Sequence, residues 1–137
     1  MYQALRTSPS AGAGAAGVGD HYRSIDLTSK IEAASPHRLI AILYDELILS
    51  LSMVKGAIRR REPMRINEGR ARAQSIVQTL NAGLDHAKGG DIATALASVY
   101  READRLIASG CRSLDTAEID AAQKLIGEIS EAWNQIG

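Results

Sequence analysis

The stretch from Ala33 to Val54 leaves this chain few folds to choose from. It opens with a helix start: Ser35 can cap orphaned backbone N–H groups, and Pro36 fits the first helical position, where its missing donor costs nothing. Beyond it, apolar residues recur on two helical registers. One stripe is Ile40, Leu43, Leu47, Leu51, Val54 and Ile58; the other is Leu39, Ile42, Leu49 and Met53, interrupted by Glu46. A one-residue offset turns the second stripe about 100° from the first. A helix apolar on two sides needs neighbours on both, or a partner on one of them.

The rest of the chain supplies neighbours of the same kind. The spacing predicts a first helix over 36–61, ended by Glu62-Pro63, because the residue before proline resists helical geometry. A second is expected over 64–87, with Ile66, Ala73, Ile76, Val77, Leu80, Leu84 and Ala87 inward and Lys88-Gly89-Gly90 as its stop. A third is expected over 91–113, with Ile92, Leu96, Val99, Ala103 and Leu106 as its stripe and Tyr100 and Ile107 flanking it. The fourth opens at Asp115, with Glu118 three residues on in a capping-box arrangement. Its stripe of Ile119, Ala122, Ile126, Ile129, Trp133 and Ile136 steps by three and four, the pattern of a bundle seam. No strand alternation is sustained. Four helices on short connections give an all-α, antiparallel four-helix bundle.

Ahead of the bundle the composition changes. Residues 1–20 are rich in Gly, Ala and Ser and read as a flexible tail with little to bury, Tyr2 and Leu5 excepted. Residues 21–34 are mildly amphipathic and read as a docking segment, extended or briefly helical, with Tyr22, Ile25 and Leu27 able to dock on a groove. Residues 35–137 form the bundle domain.

Composition excludes several classes. The 137 residues carry 16 basic and 16 acidic side chains, so no global charge points to nucleic acid or an anionic membrane. Six arginines at 59, 60, 61, 65, 70 and 72 stand against Glu62 and Glu68, while 91–137 carries eight acids against four bases. That asymmetry suggests neighbouring helices with partial pairing, and no aromatic interleaving supports a nucleic-acid site. A single cysteine, Cys111, forms no internal disulfide and suits a reducing compartment. No membrane-spanning run or signal peptide is present in the sequence, so a cytoplasmic location and no membrane insertion are expected.

Chemistry-bearing residues do not assemble. His21, His37 and His86 lack metal-ligand spacing and read as solvated. Ser35 and His37 stand two apart at a helix start, where they do not face each other, so Ser35 with His37 and Asp45 makes no triad. Cys111 reads as a packing residue, and Gly89-Gly90 lacks the lysine of a phosphate loop. No catalytic residue, metal or cofactor is expected. A binding module remains, with surplus apolar surface on the second stripe of the first helix and at Val77, Ile107 and Leu125. An alternative is a helical adaptor or signalling module bound to another helical partner. Its phosphotransfer form needs an exposed histidine in mid-helix, which none of the three provides.

Three blocks resemble a known family. Ala-Ser-Pro-His-Arg-Leu-Ile-Ala-Ile-Leu-Tyr-Asp at 34–45 is similar to the signature of the flagellar export chaperone FliS family. Lys-Gly-Gly-Asp-Ile-Ala-Thr-Ala-Leu-Ala-Ser-Val-Tyr at 88–100 and Ile-Gly-Glu-Ile-Ser-Glu-Ala-Trp at 126–133 agree in order. The resemblance implies an antiparallel four-helix bundle in the bacterial cytosol. It implies binding of the disordered C-terminal segment of flagellin, which prevents premature polymerisation, and delivery to the flagellar type III export apparatus, with the export gate as a second contact. It also implies that the N-terminal segment, through Tyr22 and Ile25, can occupy the flagellin groove. Two departures stand out: Glu46 where the family usually has glycine after Tyr-Asp, and a longer tail. The expected partner-binding residues are Tyr22, Ile25, Leu39, Ile42, Leu49, Leu96 and Tyr100, on a monomer or weak homodimer.

Overall fold

A computed structural model describes Tyr2 and residues 27–136. Its elements are helices: a short α1 over 27–33, then α2 (Pro36–Arg60), α3 (Pro63–Ala82), α4 (His86–Ser113) and α5 (Thr116–Gln135). Consecutive helices pack against each other, and α5 closes back on α2. The four long helices therefore form an antiparallel ring, with α2 diagonal to α4 and α3 diagonal to α5. All of the expected tail but Tyr2, and residues 21–26 of the expected docking segment, lie outside the described residues, Leu5, His21, Tyr22 and Ile25 among them.

The helix starts follow the sequence. Ser35 Oγ accepts from the Arg38 N–H at 3.1 Å, with Pro36 in the first turn. Asp115 accepts from the Ala117 N–H at 2.9 Å, and Glu118 adds negative charge to the first turn of α5. At the opposite ends of α2 and α4 the chain turns through left-handed residues that are not glycine, Arg61 (φ 54°) and Leu114 (φ 55°). There the Glu62 N–H bonds the Ala57 carbonyl and the Asp115 N–H bonds the Gly110 carbonyl, each capping one carbonyl of the last turn.

The boundary between the second and third helices falls elsewhere than expected. Helix α3 stops at Ala82, and Gly83-Leu84-Asp85 makes the connection. Asp85 caps a fresh helical start by accepting from the Lys88 N–H at 3.0 Å. Gly90, at φ 49° and ψ −127°, then bends α4 in a conformation reserved for glycine. The Gly89-Gly90 pair is thus a break inside α4, not the stop of α3, and Ala87 is exposed.

The core joins all four long helices: Ile40, Tyr44, Leu47, Leu51 and Val54 from α2, Ile66, Ala73, Val77 and Leu80 from α3, Tyr100, Ala103 and Ile107 from α4, and Ile119, Ala122 and Ile126 from α5. Ile129 and Trp133 pack on it half-buried, while Ile136 is exposed. The buried face of α4 differs from the expected stripe. Its members are Ala93, Tyr100, Ala103, Ile107, Gly110 and Cys111, while Ile92 is 62% exposed. Small residues dominate that face, so the larger side chains beside it carried the stronger periodic signal. Their smallness brings helices close. A Cβ on Gly110 would stand 2.7 Å from Ile119 Cδ1, and one on Gly69 2.6 Å from Val54 Cγ2.

Candidate client-binding surface

The aromatic end of the bundle is built from residues far apart in sequence. Tyr44 and Tyr100, both buried, join their hydroxyls at 2.6 Å across the diagonal of the bundle. The Tyr2 hydroxyl bonds Tyr100 from the other side, and the Tyr2 backbone bridges Leu84 in the α3–α4 connection. Tyr100 stands between the other two hydroxyls, within hydrogen-bond distance of each. Burial pushes all three phenols well above the ordinary tyrosine range, reinforced by their mutual proximity.

Beside the tyrosines, His37 is not solvated as expected. Its ring stacks on Trp133, centroids 4.5 Å apart and planes 7° from parallel. The Trp133 indole N–H donates to the His37 carbonyl at 2.9 Å, and His37 Nε2 donates to the Trp133 carbonyl at 3.0 Å. The carbonyl can only accept, so Nε2 carries the proton. This reciprocal clasp ties the start of α2 to the end of α5, where a helix leaves carbonyls unsatisfied. His86 is exposed just after the Asp85 cap, in a first turn and not a last one.

Polar contacts stitch two of the four seams. Between α2 and α5, Lys55 meets Asp120 at 2.7 Å and Gln123 at 2.6 Å, and Gln123 Nε2 donates to the Ile48 carbonyl and Ser52 Oγ. Between α2 and α3, Arg72 reaches Glu46 at 3.1 Å, so a basic group does meet the carboxylate that interrupts the second stripe. Arg60 and Arg65 both pair with Glu62. The described arginine pairs of this cluster thus close within α2, α3 and their turn, where acids on α4 or α5 were expected. Cys111 is buried, and burial pushes its thiol up, against the opposing pull of Arg70, leaving a poor nucleophile. Among the described residues no group of His, Cys, Asp or Glu is placed to hold a metal, and no helix is long and apolar enough to cross a membrane.

The expected binding residues separate into three situations. Leu39 and Ile42 are buried on α2, outside the main core cluster. Leu49 is open at 42% exposure, next to Met53 at 48%. On α4, Leu96 is half-buried against the core, and Tyr100 is 1% exposed with its hydroxyl engaged. Since α2 and α4 are diagonal, the two sets do not form one continuous patch. Tyr22 and Ile25 lie outside the described residues.

Two grooves flank α3. The α2–α3 groove is lined by Leu43, Glu46, Arg72, Ser75 and Ile76, with Leu27 of α1 at its side. The α3–α4 groove encloses about 310 Å³ over Val77, Ala97 and Tyr100, with Gln78, Asn81, Arg101 and Asp104 around that floor. Of the expected binding residues, Tyr100 alone lines this second groove. Its signal in the sequence is Val77 beside the seam and Ala97, Tyr100 and Asp104 at helical spacing. No side-chain hydrogen bond or ion pair crosses it among the described residues.

The described residues form a four-helix bundle with exposed apolar side chains on α2 and open grooves on both sides of α3. Comparison with known proteins places this bundle. The family described as "Flagellar protein FliS" matches residues 18–137. The chain is 32% identical over 116 residues to the flagellar secretion chaperone FliS of Salmonella typhimurium, covering 84% of this chain and 86% of the relative. It is 30% identical over 115 residues to the chaperone of that name from Vibrio cholerae, covering 84% and 85%. It is 26% identical to the flagellar secretion chaperone FliSB of Pseudomonas aeruginosa, covering 84% and 91%. The chain belongs to the FliS family of flagellar secretion chaperones, a family of chaperones and not of enzymes.

Proposed function

We propose that this chaperone binds the disordered C-terminal segment of flagellin in the bacterial cytosol, keeps it from polymerising, and delivers it to the flagellar type III export apparatus. The observation that carries the reading is apolar surface left open on a bundle of this family: Leu49 and Met53 along α2, 42% and 48% exposed. A disordered client loses chain entropy on binding and offsets that by burying extensive apolar surface. Amphipathic client helices can lie along such a ridge through anchors at i, i+3, i+4 and i+7. Leu39 and Ile42 join the site only when whatever closes them moves. Residues 21–34, with Tyr22 and Ile25, fill the role of an internal occupant that the client displaces.

The test is flagellin polymerisation followed by light scattering. An equimolar amount of the chaperone should suppress it, and Leu49→Asp should raise the chaperone concentration needed by tenfold or more while the variant melts like wild type. Unhindered polymerisation in the presence of the wild-type chain contradicts the reading.

A further inference from the structure

The outward face of α2 carries charge at both ends and apolar surface between. Glu46 turns toward α3, and Lys55 and Ser52 turn toward α5. The line from Asp45 through Leu49, Met53 and Gly56 to Arg60, stepping by three and four, therefore points away from the bundle. Leu49 and Met53 are exposed and Gly56 is half-buried. Asp45 and Arg59 are exposed and make no ion pair among the described residues. Arg60 donates from Nε to Glu62 and lays its two terminal nitrogens over Gly56, 3.2 Å from where a Cβ would stand. The dipole of α2 accounts for cations in its last turn. It does not account for the acid and the bare apolar residues that precede them on the same face.

This face is complementary to itself. A two-fold axis crossing the ridge between Ser52 and Met53 sets a second copy's α2 antiparallel to the first. Residues equidistant from that point then face each other. Leu49 meets Gly56 of the partner subunit, where the missing side chain leaves a hollow for the leucine. The two Met53 side chains meet on the axis, and methionine adapts to such contacts. Asp45 stands opposite Arg59 of the partner subunit and Arg60 of the partner subunit, so a carboxylate–guanidinium contact closes each end. Parallel pairing would set like charges together.

We propose that the client-free chaperone pairs with a second copy through this face of α2, covering the ridge until a client replaces the partner. The covering role rests on the client-binding reading above; the pairing does not. One helix pair is smaller than the roughly 1,200 Å² of a stable interface, so the dimer is weak and opens readily.

The experiment is sedimentation velocity on the full chain from about 10 to 500 µM, the range of weak association, beside thermal melts. Wild type should move from monomer toward dimer across it. Met53→Glu brings two carboxylates together on the axis and should abolish the dimer while melting like wild type, because the residue is exposed. Asp45→Arg should weaken the dimer at least tenfold, and so should Arg59→Glu with Arg60→Glu. The three charge changes together restore both end contacts in the reversed sense. That chain should dimerise within a few-fold of wild type, although its net charge is now negative. Excess flagellin C-terminal peptide should return wild type to one chain per particle.

A chain that stays monomeric at every concentration overturns the inference and leaves the client-binding reading standing. A dimer that survives Met53→Glu, or a folded triple variant that stays monomeric, overturns it as well. Should the triple variant fail to fold, Met53→Glu and Asp45→Arg decide: both must be monomeric where wild type is dimeric. A dimer that persists while peptide binds overturns the covering role. A chain that dimerises through these residues yet binds no peptide removes the client-binding reading and the covering role and upholds the pairing.

Discussion

Where α2 begins and α3 hands over to α4, the interior is aromatic and hydrogen-bonded: Tyr44, Tyr100 and Tyr2 in one hydroxyl chain, with His37 clasped to Trp133. At the other end, where α2 turns into α3 and α4 into α5, it is small and dry, with Gly69 against Val54 and Gly110 against Ile119. The small-residue end fixes helix spacing by contact and has no room to give. The aromatic end is held by directional bonds whose members include a residue, Tyr2, that precedes the bundle by more than thirty positions. Such bonds depend on direction and partner, so each can be removed singly by deleting one hydroxyl or one ring.

The largest expected effect is at the tight end. Gly110→Leu drives a side chain into Ile119 and should destabilise the bundle by about 1–3 kcal/mol, overpacking outweighing the better helix propensity; denaturant unfolding checks it. An unchanged midpoint would show that this end relaxes as readily as the other.

Smaller is the effect of Tyr44→Phe, which removes one hydroxyl and leaves Tyr100 bonded to Tyr2. About 1 kcal/mol should be lost at neutral pH. The pH dependence follows from the raised phenol pKa values. The folded state holds its protons more tightly than the unfolded chain, whose tyrosines titrate near 10. Stability is therefore fully present below about pH 10 and falls as pH rises beyond it. Tyr44→Phe should make that fall shallower, read from melting temperatures between pH 8 and 11.

The smallest expected effect is a gain. Leu114 is exposed and holds φ 55°, a conformation that favours glycine. Leu114→Gly should raise stability by up to about 1 kcal/mol, measured by the same unfolding series.

The same comparison explains how much the sequence disclosed. Helix starts were legible at Ser35-Pro36 and Asp115, because caps are local chemistry. The α5 seam was legible because Ile119, Ile126 and Trp133 are large and regularly spaced. The buried face of α4 was misplaced by its small residues, since Ala93, Ala103 and Gly110 carry little periodic signal. The α3–α4 boundary was hidden by Gly89-Gly90, whose turn signal outweighed the Asp85 cap. His37 with Trp133, Glu46 with Arg72 and the three tyrosines are pairings across the bundle, which local pattern does not specify. A hint was available: a buried tyrosine hydroxyl needs a partner, and few candidates could serve Tyr44 and Tyr100. For the candidate surface, the sequence pointed to the apolar surplus of α2 and to Tyr100, but burial divides Leu39 and Ile42 from Leu49.

The central claim is that this bundle takes a disordered flagellin end onto its apolar surface, and calorimetry with the flagellin C-terminal segment tests it most directly. Titrating the intact chain at several temperatures should give one-to-one binding with a negative heat-capacity change, the mark of apolar burial, together with a shift in Trp133 emission. No heat at any temperature and no emission change would contradict the claim.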